Sequence, residues 1–491
     1  MTVPMTSPPA PAPSAPPAPG GDPVQPPPSP PVKAPPRRSR VPHRVLALAG
    51  AAVIAVALLF TAATTAIGNA REGLTVIGHD AGPQVVATAD LYFALSDMDA
   101  QVANVLLMGR ETTLGRGRQD ALQRYEQRRA EASRALLQAA ELATGDETEE
   151  RTVRAVLDGL GRYERLASQA ILLDEQAQHA AGPPPAQVIE LYRRATDLMR
   201  LDLLPKAYNL TLESGTIVRR TYEEESNAVQ TGRLLVGAAG TATVVLLILL
   251  QIYLARRFRR VVNPALVLAT FGVALLTLSG MALLERQAED LRVAKEDGFN
   301  SVLALSRARA IGNTMHGDQS RYLLDPQRAD VYEQVYLEKS QSVLYTPSGN
   351  LQEYYTGVDR VVSAYPGKAD FLGFHGTEAS SITLAGQREA IKKVLDGYRE
   401  FQQRDRQMRL RVKSDQDRQA IVARMGPVAR SFEAYDEALV DLIALHHKAF
   451  EQAIRDGDEA LGGWNIILPG VLLAVTLLIG VGVGPRLSEY R

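Results

Sequence analysis

The chain contains no cysteine, which excludes disulfides, a lipoprotein anchor and thiolate metal sites together. Whatever it folds into is held by packing alone. Tryptophan occurs once, at Trp464. The sequence has no phosphate-binding glycine loop, dinucleotide turn or zincin helix, so it carries no signature of catalysis, of a cofactor or of a metal. A net charge of −1 gives no argument for nucleic-acid binding.

Charge is also missing from four stretches, residues 45–70, 234–255, 261–284 and 461–485. Each matches the roughly 20 apolar residues that a bilayer-crossing helix requires, so the lipid bilayer is the first expected partner. They hold no Asp, Glu, Lys, Arg or His, whereas transporters and proton pumps usually place ionisable groups inside the membrane. Between the second and third stretches lie Arg256, Arg257, Phe258, Arg259 and Arg260. Basic residues beside a span stay cytoplasmic, so this five-residue turn faces inward and both flanking segments face outward. The whole charge distribution agrees. Residues 1–44, 256–260 and 486–491 hold 11 Lys or Arg against 2 acids, while 71–233 hold 19 against 25 and 285–460 hold 24 against 28. Both termini are therefore expected in the cytoplasm and the protein in the plasma membrane. Asn263 and Pro264 suit the start of the third span as cap and first-turn residue. Trp464 suits an interfacial anchor at the outer end of the fourth.

Residues 1–44 are dominated by proline, alanine and serine and are expected to form an extended cytoplasmic tail. The first apolar run is too long for a signal-peptide core and reads as a retained anchor. In 71–233, apolar residues recur at heptad spacing through Leu91, Leu95, Met98, Val102 and Val105. The seams continue through Tyr125, Leu136 and Ala139, then Val153, Val156, Leu160 and Tyr163, then Leu203, Ala207 and Leu210. Short turns between long seams predict an up-down-up-down four-helix bundle. Residues 285–460 repeat the plan, with seams through Ile391, Val394, Tyr398 and Phe401 and through Phe432, Tyr435, Leu439 and Leu442. The expected fold is thus an all-α membrane protein with four transmembrane helices and two extracytoplasmic four-helix bundles. A shift of 217 residues lays the first span on the third and aligns Asp80, Met98 and Leu107 with Asp297, Met315 and Leu324, pointing to tandem duplication.

With large outer segments and little cytoplasmic chain, such a protein can report outside conditions inward only through a separate partner. The paired His446 and His447 point about 100° apart on a helix and cannot share a ligand, so a core or flanking histidine is expected rather than a metal site. Residues 109–118, 182–185, 325–327 and 425–427 are expected at the bundle ends farthest from the membrane. There Arg110, Arg116 and Arg118 are candidates for meeting an acidic partner. Arg256, Arg257, Arg259 and Arg260 are candidates for anionic lipid or a cytoplasmic partner. The second span is the expected conduit, because no proline interrupts residues 206–255. Gly68, Gly73, Gly78 and Gly82-Pro83 are expected to break the first path, and Gly462, Gly463 and Pro469 the fourth.

One bundle between spans resembles the four-helix sensory ectodomain of bacterial chemoreceptors and histidine kinases. The doubled layout, with its proline-rich tail and the Leu203-Leu204-Pro205 element in a late helix, resembles the actinobacterial GlnX-type membrane proteins. That resemblance implies amino-acid sensing with an extracytoplasmic glutamine/aspartate-binding lipoprotein outside and the soluble Ser/Thr protein kinase G inside. It transfers no ligand residue. The oligomeric state, including a homo-oligomer, stays open. A membrane subunit of an exporter and a structural envelope protein are the alternative readings.

Overall fold

The computed structural model describes residues 41–142, 147–258 and 263–488. The proline-rich tail and Arg259 and Arg260 lie outside the described residues. Among those described, the chain is helical with no strand, only an isolated antiparallel bridge between Tyr345 and Leu372. Four helices are long and apolar enough to cross a membrane, and the first three run on far into the body beyond their apolar part.

The first runs from α1 (Val41–Thr75) through a π turn (Val76–Asp80) into α2 (Ala81–Met108). After α3 (Arg118–Leu142) and α4 (Glu147–Ala177), α5 (Ala186–Leu198) passes a second π turn (Met199–Leu203) into α6 (Leu204–Phe258), which contains the second apolar segment. The third is α7 (Pro264–Arg292), continued by a π turn (Val293–Phe299) into α8 (Asn300–Leu324). Then come α9 (Ala329–Val343), α10 (Leu351–Ala364), α11 (Phe374–Ser380) and α12 (Gln387–Val412). A last path runs from α13 (Asp417–Ala423) through a π turn (Arg424–Val428) and α14 (Ala429–Leu461) to α15 (Trp464–Ser488).

The π turns match between the halves. Val76–Asp80 and Val293–Phe299 begin at positions related by the shift found in the sequence, and Met199–Leu203 and Arg424–Val428 occupy corresponding places before the second and fourth apolar segments. At the centre, α2 packs on α8, and the Asn313 side chain donates to Ser96 Oγ at 3.0 Å across a separation of 217 residues. Equivalent positions touch each other only where a twofold relation passes between them. The structure therefore has the form of a duplicated unit folded back on itself.

Several expectations change. The two four-helix bundles do not keep separate cores: Leu95, Met98 and Leu203 belong to one continuous apolar cluster with Met315, Tyr398 and Tyr435. The cause is the α2 and α8 pair, each buried against the other half. The first helix is not broken at its glycines. A chain of 66 residues stays helical because the π turn holds His79, the residue whose carbonyl the Pro83 ring would otherwise meet. Gly78 instead admits Ile454, whose Cγ2 would lie 2.7 Å from an added Cβ. The fourth path does break, at Gly462 and Gly463, the latter with φ of 79°. Met425 and Pro427 lie within a helical path, and the turn sits at residues 413–416. Asn263 does not cap α7 with its side chain, which donates to the Gly482 carbonyl at 2.8 Å and ties the third and fourth apolar segments. Phe371 is buried in the core cluster, while Leu372 beside it remains exposed.

A second apolar cluster joins the four long segments, including Leu59, Ala66, Val236, Leu250, Val273 and Val475. Gly237 and Gly240 allow α6 to approach Met281 and Thr277 of α7.

His446 is buried where α14 meets α11 and the π turn before α8. Its Nδ1 faces the Asp297 carbonyl at 2.5 Å and its Nε2 faces Glu378 Oε1 at 2.6 Å. Both partners accept, so both ring nitrogens donate and the ring is cationic. Burial works against that charge, but Glu378 and the Asp297 carbonyl outweigh it and hold the pKa above 6.5. A raised folded pKa gives stability that is complete below the unfolded value and lost as pH rises through the folded one. His446→Gln should therefore cost about 1.5–3 kcal/mol near pH 6 and much less near pH 9, read from unfolding midpoints at the two pH values. An equal cost at both would show that the ring is neutral.

Candidate functional site

The contact between halves is unusually polar for the middle of a helical body. Asp99 of α2 is buried and accepts from Arg321 Nη2 at 2.6 Å, Thr196 Oγ1 at 2.6 Å and Tyr163 OH at 3.1 Å. Arg321 also donates to Asp318 at 2.5 Å and to Tyr192 OH at 3.1 Å. Asp318 accepts in turn from Lys339 Nζ at 2.5 Å. Burial acts against the Asp318 charge, yet Lys339 and Arg321 hold its pKa below the usual carboxylate value. Burial pulls Lys339 down to about 8. Helices from both halves thus share one desolvated chain of charges, which fixes their register because any slip would leave a buried charge alone.

On one flank of the α2 and α8 pair is a cavity of about 430 Å³, within the roughly 300–1,000 Å³ range of small-molecule sites. Tyr92 comes from α2, Leu204, Pro205 and Tyr208 from the start of α6, Arg307 and Ile311 from α8, and Lys339 from α9. The π turn before α6 contributes Arg200 and Leu201. Its Leu204 N–H donates to the Met199 carbonyl, a five-residue step that lets Pro205 follow without ending the helix. The Leu204-Pro205 step thereby forms one wall. Arg307 lies over the Tyr208 ring at 5.4 Å, and its Nε is buried without a hydrogen-bond partner.

The opposite flank carries the corresponding space, between α2, α8, α3 and the start of α14, but it is only about 130 Å³. Ion pairs line it: Arg128 with Asp97 at 2.6 Å, Arg116 with Glu433 at 2.8 Å and Arg124 with Asp120 at 2.9 Å. Arg424 is buried beside it, donating to Asn104 at 3.2 Å and to the His316 carbonyl at 2.8 Å, and its Nε has no partner.

The sequence candidates fall in two places. The far turns of both halves meet in one crown: Arg193 pairs with Asp325 at 2.6 Å and Arg418 with Glu111 at 2.8 Å. Arg110 is exposed there. Arg116 is largely exposed but paired with Glu433. Arg118 is committed internally, to Asp174 at 2.7 Å and to the Val105 and Gly109 carbonyls, so its role is to hold the turn. At the other end Arg256 is exposed and Arg257 lies in the last turn of α6. The flank cavity was not expected from the sequence. The sequence signal nearest to it is the Leu203-Leu204-Pro205 element, whose Leu204 and Pro205 line its α6 wall.

No curated protein and no solved structure matches the chain. Residues 73–223 match the family profile of an actinobacterial sensor domain. That stretch begins near the end of α1 and stops within α6 before its apolar segment, so it covers the first half of the body and the α6 wall of the cavity. The match supports a sensor protein of actinobacteria, with a sensing unit attached directly to helices long and apolar enough to cross a membrane.

Proposed function

We propose that the chain is a transmembrane signal relay. Its helical body lies outside the plasma membrane, its termini and the turn at 256–260 lie in the cytoplasm, and it passes an extracytoplasmic signal to a cytoplasmic effector. The supporting observation is continuity. The cavity wall at Leu204, Pro205 and Tyr208 belongs to the same 55-residue helix that contains the second apolar segment and ends at the arginine turn. A helix without a break carries a displacement of about 1–2 Å or a small rotation along its length. The input is a ligand in the body or a ligand-loaded binding lipoprotein on the crown, where Arg110 is the exposed basic candidate. By resemblance the signal is amino-acid availability and the effector a soluble Ser/Thr kinase, with Arg256, Arg257, Arg259 and Arg260 as its docking face. The charge asymmetry between segments supports the orientation.

The absence of native cysteine makes the topology directly testable. Single cysteines at the exposed positions Ser133 and Ser414 should react with an impermeant maleimide on intact cells, and one at Arg256 should react only after lysis. Labelling at Arg256 in intact cells would reverse the orientation and remove the proposal.

A further inference from the structure

The flank cavity combines features that select a ligand class. Its lining holds Arg200, Arg307 and Lys339 but no Asp or Glu. The Lys339 charge is offset by Asp318 at 2.5 Å, whereas Arg200 and Arg307 make no ion pair among the described residues. Burial lowers the pKa of Arg307, the signature of a guanidinium held out of water without an anion to compensate it. The remaining surface is mostly apolar or aromatic, from Leu201, Leu204, Pro205 and Ile311 with Tyr92 and Tyr208, interrupted by Thr211, Ser306 and Thr314. In the corresponding space of the other flank, Asp97, Glu433 and Asp120 neutralise Arg128, Arg116 and Arg124, and Arg424 is turned onto Asn104 and the His316 carbonyl.

We propose that this cavity binds a small soluble organic carboxylate with an apolar body, its carboxylate meeting Arg307 and Arg200 and its body resting on Leu204, Pro205 and Tyr208. This rests on reading the cavity as the sensing site of the relay. Guanidinium groups match a carboxylate in charge and fork geometry, and a charged hydrogen bond there is worth about 1.5–3 kcal/mol. A bilayer lipid is a poor occupant. At 1.5 Å per helical residue, Tyr208 stands roughly 40 Å along α6 from the start of the second apolar segment, beyond the reach of a lipid seated in the membrane.

The experiment is calorimetric titration of the full chain in nanodiscs with phenylacetate and hexanoate, each against its amide, phenylacetamide and hexanamide. At least one carboxylate should bind about tenfold or more tightly than its amide. Arg307→Gln should lose at least about tenfold, Arg307→Lys should recover part of the loss, and Arg116→Gln should change nothing. Equal affinity for acid and amide, no binding by either acid, or wild-type binding in Arg307→Gln would overturn the assignment. So would carboxylate binding that appears only in discs of one lipid composition, which would make the site a lipid site. Calorimetry reads binding without any movement of the apolar segments. Carboxylate binding with motionless helices would therefore sink the relay and leave the ligand class standing, while helices that move without carboxylate binding would do the reverse.

Discussion

Arg321→Met should destabilise the body by about 3–5 kcal/mol, because it leaves Asp99 and Asp318 buried beside a missing cation. Both carboxylates are nearly inaccessible, so water cannot replace the guanidinium. Asp99 keeps Tyr163 and Thr196, and Asp318 keeps Lys339, which is why the cost should stop short of abolishing the fold. The loss should appear as a lowered unfolding midpoint in detergent. Adding Asp99→Asn removes the orphaned charge and should recover a substantial part of it. A single substitution that costs less than about 1 kcal/mol would mean that the halves are held by apolar packing and that the charge chain is incidental.

The second large effect is expected inside the apolar bundle. A Cβ on Gly240 would lie 2.1 Å from Thr277 Oγ1 and 2.3 Å from its Cγ2, so any side chain there drives α6 away from α7. Gly240→Val should cost about 1–3 kcal/mol by overpacking and should fix the second apolar segment away from the third. Gly272, whose nearest neighbour is Val475 at 3.7 Å, provides the control. Gly272→Ala should be nearly silent. Thermal unfolding of the two variants in nanodiscs checks the difference, and equal midpoints would show that the α6 and α7 contact is loose enough to absorb a side chain.

The sequence carried the elements well and their assembly poorly. The seams through Leu91, Tyr163, Leu203 and Tyr435 were readable because heptad spacing marks a buried face, and all four are buried. Spacing does not say which helix covers that face. The union of the halves depends on Ser96, Asp99, Asn313 and Arg321, polar residues that in a one-dimensional pattern look like a solvated side. They are buried only because α2 and α8 meet. Gly82-Pro83 reads as a break, and residues 425–427 with Pro427 as a turn, for a similar reason. A proline signals a lost hydrogen bond, but whether the helix ends or takes a π turn is settled by what packs around it. Arg118 looked like a free loop cation because its partner Asp174 is contributed by α4, far along the chain. The cavity draws residues from α2, α6, α8 and α9, and no local motif could have gathered them.

The central claim is that occupancy of the flank cavity moves the second apolar segment along an unbroken α6. Nitroxide labels on cysteines at Arg44 and Arg256, both exposed near the ends of the first two apolar segments, report that movement against a cysteine-free background. Pulsed dipolar distances should shift by about 1–2 Å on saturation with the carboxylate that calorimetry shows to bind. The shift should vanish when Gln230 and Thr231, exposed residues beside Gly232, are both replaced by glycine, while binding persists. An unchanged distance in the unaltered chain at full occupancy would contradict the account.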